Sequence, residues 1–314
     1  MRTLLLLWLF VAPSADTLQV MFWNVENFFD WRNDSTTVSD VEFSAAGERH
    51  WTWKRFQAKA NAFAKALFWV EAETGRLPDI IGLEEVENAF VLRQVLQKTA
   101  LRKLDYKYVH YDSPDRRGID VALLYRTSRL DLLDSKPCHL YAADSVMATR
   151  DILLCIFQRD SAKVAVLVNH HPSKYGGAAE SEPRRRIAVE RLRFLADSLA
   201  AIGIDRIIAG GDFNDTPDNP VFRLLEPALA PMHMDLFRHG LGTIKYDGKW
   251  DLIDHIYVSP ALTPLSRMQI LRIPFLLTRD TVHSGEKPLR TYTGPRHTGG
   301  VSDHLPVQLE VHFQ

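Results

Sequence analysis

"RIIAGGDFNDTP", Arg206–Pro217, joins an apolar run to two glycines and then to a polar tip. Ile207–Ala209 has the character of a short buried strand. Asp212 and Asn214 lie two residues apart, so an extended backbone would point both side chains the same way. The same juxtaposition recurs along the chain. Leu18–Trp23 runs into Asn24-Val25-Glu26-Asn27, Ile80–Leu83 into Glu84-Glu85, and Val164–Val168 into Asn169-His170-His171. Other runs begin at polar clusters: Val121–Tyr125 follows Arg116–Asp120, His255–Val258 follows Asp251 and Asp254, and Val307–Val311 follows Ser302-Asp303-His304. Ile152–Phe157 ends in Gln158-Arg159 without such a cluster. If the clusters share one rim, some strands arrive at it and others leave it, so the sheets are mixed or antiparallel rather than purely parallel. A doubly wound parallel sheet would place its site at carboxyl ends only. Three helical patterns intervene, at Trp53–Glu73, Phe90–Leu101 and Ile187–Ala200. The reading is one α/β domain of two packed sheets flanked by helices. The polar stretch Thr278–Gly300 reads as a long functional loop.

The bulk composition fits a single large core. The chain has 314 residues, 46% of them apolar, and a net charge of −1. That charge excludes a protein that coats nucleic acid by bulk electrostatics. Arg2, the run Leu4–Val11 and the small residues Ala12–Ala15 form a secretory leader pattern, too short for a membrane anchor. The expected organisation is a leader over residues 1–15 and one domain over 16–314, exported to a periplasmic or extracellular space. Losing Arg2 from the 38 basic residues leaves 37 against 39 acidic, a mature charge of about −2. Export would permit a disulfide between Cys138 and Cys155, although Cys155 also fits a buried thiol.

The clusters hold oxygen donors and histidines but no cysteine. Glu85, Asp212, Asp303, Asn24 and Asn214 suit a hard cation such as magnesium, manganese or calcium rather than zinc. Gathered carboxylates repel one another unless a cation neutralises them. A divalent ion so held stabilises the charge that develops in phosphoryl transfer and acidifies an attacking water. Histidines add groups that titrate near neutrality. Arg117, Lys174, Arg184 and Arg290 could clamp phosphate oxygens. Taken singly, each cluster also reads as a turn, a helix cap or a solvated edge. Their coincidence at strand ends favours chemistry.

Seven motifs in order, WNVENFFD (23–30), IIGLEEVEN (80–88), RGIDVALLYR (117–126), NHHPSKYGG (169–177), GGDFNDTP (210–217), WDLIDHIYVS (250–259) and SDHLPV (302–307), resemble the endonuclease/exonuclease/phosphatase superfamily. The resemblance spans Leu18 to Val311. It implies a four-layered α/β sandwich of two packed mixed sheets flanked by helices, a divalent metal that is usually magnesium, and in-line attack of water on phosphorus. It implies that Asn24, Glu85 and Asp303 lie on the metal side. Glu84 stands where Gln is frequent, and Glu26 where only some members carry a carboxylate. By the same resemblance Asp212 and Asn214 orient the water and the phosphate, and His170 is a phosphate ligand or proton donor. His304 is the catalytic histidine, with Asp254 as the buried partner that raises its pKa. His171 takes no role. A closer likeness to exported bacterial proteins labelled endonucleases adds Arg117, Asp120, Lys174 and Arg290 as cleft-lining residues.

The leading functional expectation is a secreted, metal-dependent phosphodiesterase acting on nucleic acid. The alternative is a phosphatase or lipid phosphodiesterase acting on inositol phosphates, sphingomyelin or another small phosphoester, because loops on one fold select the substrate. A non-catalytic binding module ranks third, since every core position carries a competent residue. Trp51, Trp53, Tyr175 and Tyr292 could stack on bases, but core and edge packing is the commoner use of such residues.

Overall fold

The computed structural model describes residues 17–33, 37–174 and 177–313. The leader pattern and Tyr175 fall outside these residues. Twelve strands form two six-stranded mixed sheets. In chain order they are β1 (Thr17–Phe28), β2 (Ile80–Val86), β3 (Tyr106–His110), β4 (Asp120–Arg126), β5 (Asp131–Cys138), β6 (Ile152–Arg159), β7 (Ala162–His170), β8 (Ile207–Asp212), β9 (Ala230–Pro231), β10 (Asp254–Val258), β11 (Ser266–Ile270) and β12 (Val307–His312). The first sheet runs β11-β12-β1-β2-β4-β3 and the second β9-β10-β8-β7-β6-β5. Each has one parallel pair, β1 with β2 and β8 with β7; the other pairs are antiparallel.

A long helix links the strands of each parallel pair, α1 (Trp53–Thr74) in the first sheet and, further along, α3 (Ala178–Ala201) in the second; α2 (Ala89–Lys98) follows β2. The α1 helix starts where the Thr52 side chain accepts from Arg55 N and stops at left-handed Gly75. Asn88 caps α2 in the same way, through Val91 N.

Three apolar layers separate four layers of structure. On β1, Val20 and Phe22 face the second sheet, whereas Met21 and Trp23 face α1, the two-residue alternation of a strand buried on both faces. On β7, Val166 and Val168 face the first sheet and Leu167 faces α3. The fold is therefore the α/β sandwich expected. Cys155 packs between the sheets and Cys138 on the α3 side, and both are free thiols, so no disulfide joins them.

The two glycines of the opening stretch have separate tasks. A Cβ on Gly210 would stand 2.4 Å from the Phe22 ring, and one on Gly82 would meet the same ring at 2.4 Å. Phe22 is thus wedged between strands of opposite sheets. Gly211, at φ +129°, lies so close to Asn169 O and Glu84 Oε1 that a Cβ would reach 2.1 and 2.7 Å. Gly210→Ala should destabilise the fold by roughly 1–3 kcal/mol, because Phe22 must leave its rotamer. Urea denaturation checks this, and an unchanged midpoint would show that the ring has room to move.

Several elements depart from the sequence reading. The α3 helix begins at Ala178 rather than Ile187, and Pro183 is accommodated in its second turn. The stretch Thr278–Gly300 holds two short hairpins, pairing 277–279 with 286–288 and 292–293 with 296–297. The edge strands β5 and β11 have no sustained apolar run, since much of each is exposed.

Candidate active site

Strand register assembles the centre. Asp212, the last residue of β8, pairs with His170 on one side and Asp254 on the other. Across the sandwich Asn24 pairs with Glu84. Asn24 Nδ2 donates to Asp212 Oδ2 at 3.0 Å and ties the two sheets together at their rim. His304 Nδ1 lies 2.9 Å from Asp254 Oδ2, and Thr243 Oγ1 donates to that same oxygen. The segment before β12 is held by Ser302 Oγ, which donates to Asn24 O at 2.6 Å and accepts from His304 N at 2.9 Å. Trp23 Nε1 donates to His304 O. His170 Nε2 and His304 Nε2 stand 3.7 and 3.9 Å from Asp212 Oδ2. The buried strand therefore ends in a carboxylate because three neighbouring strand segments and the pre-β12 loop converge there.

Asn214 arrives by a different route from the one expected. Its φ is +53°, so the backbone turns at the end of β8 instead of continuing extended. Asparagine tolerates this left-handed turn. Asp212 Oδ1 accepts from Asn214 N at 2.8 Å, and Asn214 Nδ2 donates to His171 O at 2.9 Å.

The two histidines are polarised in opposite senses. Burial lowers the His170 pKa well below its ordinary value, and Arg150 and Arg117 add to the effect. Burial also opposes charge on His304, but the Asp254 and Asp212 carboxylates overcome it and raise that pKa well above normal. Asp212 itself is pushed up to about 7, first by burial and then by Asp254, while His304 pulls the other way. Paired groups driven apart in this manner are suited to acid and base roles.

The residues expected on the metal side, Glu85 and Asp303, lie close to this centre, Asp303 Oδ1 being 4.0 Å from His304 Nε2. Glu85 sits at φ +64° in a β-bulge between Glu84 and Val86; its Oε2 accepts from Asn27 N at 2.7 Å and its Oε1 lies 3.7 Å from Arg117. Arg290 bridges Glu26 at 3.2 Å and Asp303 at 2.8 Å. Guanidinium groups thus balance these carboxylates. Asn24, Glu85 and Asp303 supply hard oxygen donors, and the Glu85 and Asp303 side chains remain partly open to the cleft, so they fit a divalent cation. Among the described residues one trio of His and Asp donor atoms falls within 4.8 Å, and it lies elsewhere, at His110, Asp112 and Asp120.

Two of the predicted cleft residues have other engagements. Asp120 is only 3% exposed, receiving His110 Nε2 at 3.1 Å and Ser113 N at 2.9 Å, and it anchors the loop between β3 and β4. Lys174 Nζ lies 2.6 Å from Asp215 Oδ1, beside the Arg185 guanidinium.

The site also holds residues to which the sequence reading gave no firm role. Glu84 is fully buried, and neither carboxylate oxygen has a hydrogen-bond partner. Burial, then Asp254 and Asp212, raise its pKa well above normal. Lys59 donates from α1 to Glu26 O and Thr291 Oγ1. Its signal was available: a lysine between Phe56 and Phe63 on the apolar face of a helix. Burial lowers the Lys59 pKa to about 8 and raises that of Glu26 to about 7. His171 packs tilted against Phe213 at 4.4 Å, and His255 stacks between Phe213 and His233 at 5.0 and 4.2 Å, forming an aromatic block beneath the rim.

Comparison with known proteins bears on the family and the fold. The profile described as "Endonuclease/Exonuclease/phosphatase family" matches residues 19–312. "Protein angel" of Drosophila melanogaster is 25% identical over 213 residues, which is 62% of this chain and 57% of that protein's length. The chain thus matches little more than half of that relative. Among solved structures, the human nocturnin catalytic domain with bound sulfate superposes with a TM-score of 0.60 at 17% identity, covering 95% of each chain. A mannosyl-6-phosphatase of Bacteroides thetaiotaomicron gives 0.60 at 16% identity, covering 94% of this chain and 100% of that one. TDP2 of D. rerio complexed with a single-strand DNA product gives 0.57 at 16%, covering 94% and 98%. At these identities the structures speak for the fold alone. The profile spans nearly the whole described chain, and the chain belongs to the endonuclease/exonuclease/phosphatase family, whose members are metal-dependent hydrolases of phosphoester bonds.

Proposed function

We propose that the protein is an exported phosphodiesterase that uses a divalent metal, magnesium foremost, to hydrolyse nucleic acid by in-line attack of water. The observation that carries the reading is the Asn24–Asp212–His304–Asp254 chain of contacts at one rim. Asn24, Glu85 and Asp303 would hold the cation, with manganese or calcium also suited to such oxygens; when bound, it offsets phosphate charge and acidifies water.

The chain's own groups supply the remaining steps. Asp212, with its pKa near 7, accepts a proton from the attacking water, and Asn24 Nδ2 and Asn214 N hold its carboxylate in place. His304, kept protonated by Asp254, donates to a phosphate oxygen. Neutral His170 and the Asn214 amide orient the phosphate. Arg117, Arg290 and Lys174 flank the cleft, while Asp120 holds the β3–β4 loop in place. The leader pattern motivates export, and no helix among the described residues is long and apolar enough to cross a membrane.

A second reading, a small phosphoester as substrate, has an observation in its favour. Arg117, Lys174 and Arg290 are each already paired with carboxylates, which leaves few free cations for a polyanion. The neighbours divide in the same way, one holding a DNA product and another named for a mannosyl phosphate. Hydrolysis of plasmid DNA, structured RNA and hexose phosphates with magnesium, across a range of salt, separates the readings. The nuclease reading predicts plasmid cleavage that falls steeply with salt. Intact plasmid with phosphate released from the sugar esters would replace it by the second.

A further inference from the structure

A cavity of about 160 Å³ opens beside the rim, between the end of β1 and the segment that follows Arg290. Its walls include Glu26, Asn27, Phe43, Arg49, Arg290 and Tyr292. Pockets for whole drug-sized ligands hold about 300–1,000 Å³, so this one takes a single group of a larger substrate. At about 30 Å³ for each water it has room for roughly five, the scale of one small ring.

The chemistry of the walls narrows the choice. Every ion in them has its counter-ion: Arg49 lies 2.6 Å from Glu42, and Arg290 pairs with Glu26 and Asp303. An anion would meet Glu26, and a cation would meet two guanidinium groups. An uncharged group bearing hydroxyls meets neither penalty. Donors and an acceptor are in place for it. Arg49 uses Nε on Glu42 and Nη1 on Gly294 O, so among the described residues its Nη2 has no protein acceptor. Asn27 Oδ1 accepts from Arg117, which leaves Asn27 Nδ2 open in the same sense. The Glu26 carboxylate accepts. Phe43 and Tyr292, edge to face at 6.1 Å, supply the apolar surface, and the Arg49 guanidinium sits 5.4 Å from the Tyr292 ring. Hydroxyls at the edge and C–H bonds on the faces describe a sugar ring. The cavity also adjoins the reacting end, because Arg290 touches Glu26 in its wall and Asp303, the neighbour of His304.

We propose that this cavity is the subsite for one sugar ring attached to the scissile phosphate. The inference rests on the phosphoesterase reading and deepens it. The ring is supplied either by a nucleotide's pentose or by a free sugar phosphate, since both present the same hydroxylated surface. Arg49 is then a specificity residue that touches substrate away from the reacting atoms.

The test compares esters that differ in the sugar. With magnesium present, kcat/KM is measured for the p-nitrophenyl ester of thymidine 5′-phosphate, for hexose 6-phosphates and for sugar-free bis-p-nitrophenyl phosphate. Arg49→Met should lower the ratio of a sugar-bearing to the sugar-free substrate by about tenfold, the effect of one lost hydrogen bond from a charged donor, and Arg49→Lys should restore part of it. Gly294→Asn, at a φ of +56° that asparagine accepts and with nothing within 4 Å of its Cβ, should lower the same ratio by narrowing the cavity. A drop confined to the thymidine ester assigns the pentose of a nucleotide; one confined to the hexose phosphate assigns a free sugar. Ratios within twofold of wild type for both Arg49→Met and Gly294→Asn would overturn the subsite. Calorimetric titration with ribose 5-phosphate and mannose 6-phosphate keeps the two hypotheses separable. If wild type hydrolyses nothing, the phosphoesterase reading fails, while Arg49-dependent binding still supports the subsite. The absence of binding at millimolar sugar phosphate would remove it.

Discussion

Asp212→Asn should abolish most hydrolysis and make the metal-free protein more stable. The substitution preserves shape but removes the proposed proton acceptor, which both His170 Nε2 and His304 Nε2 approach within 4 Å. Loss of a general base lowers kcat by about 10²–10⁴-fold. The stability gain follows from linkage. Asp212 is raised from 3.8 to about 7 in the folded protein, so the folded state disfavours its ionised form. That penalty is absent at low pH, grows as pH rises above the unfolded value, and is complete above the folded one. At pH 8 in EDTA the asparagine variant should therefore be stabler, by about 4 kcal/mol as an upper bound. Parallel kcat measurements and urea unfolding check both halves. An active variant, or one less stable than wild type, would remove Asp212 from the role assigned to it. A site that weakens its own scaffold is the expected balance between stability and activity.

The second large effect concerns acid. His171 and His233 are buried, and burial lowers their pKa values to about 3 and about 4. Both therefore bind a proton more tightly in the unfolded chain. Their contribution to stability is intact above the unfolded value of 6.5, begins to fall as pH drops through it, and keeps falling until each folded value is reached. At pH 5 each costs about 2 kcal/mol relative to pH 8. Glu26 and Asp212, whose pKa values are raised, work in the opposite direction over the same range, so the raw acid profile of wild type mixes the two. The comparison that isolates the histidines is His171→Phe with His233→Phe. Moving from pH 8 to pH 5, the double variant should gain about 4 kcal/mol relative to wild type. Parallel pH profiles for the two proteins would mean that the block beneath the rim takes up no protons on unfolding.

The rim was legible because each of its members caps an apolar run. Asp212, His170 and Asp254 could be placed together once their strands were read, and register then aligned them in one row. What stayed hidden depended on departures from regular geometry. Alternation along β2 assigns Glu84 and Glu85 to opposite faces, and only one of the two is assigned to the metal side. Glu84 follows Ile80 and Gly82 on the face that looks into the space between the sheets, where Asp212 and Asp254 lie, while the bulge re-aims Glu85. Asn214 depends on a left-handed turn that no run of residues announces. Asp120 sits at the start of a strand like other rim residues, yet its partners are a histidine on β3 and a loop amide, a pairing set by the fold of a loop. Pro183 concealed the first turns of α3, because proline reads as a helix boundary although a helix can accommodate one near its start. His171 lies in a motif that gives it no role, and its burial against Phe213 is a property of packing.

The central claim is a metal-dependent phosphoesterase centre organised around His304. Its most direct test is hydrolysis of bis-p-nitrophenyl phosphate by wild type and His304→Ala, each with magnesium and with EDTA. The predicted result is turnover by wild type that requires magnesium and falls about 10²–10⁴-fold in the variant. Turnover that survives EDTA, or that His304→Ala retains in full, would contradict it.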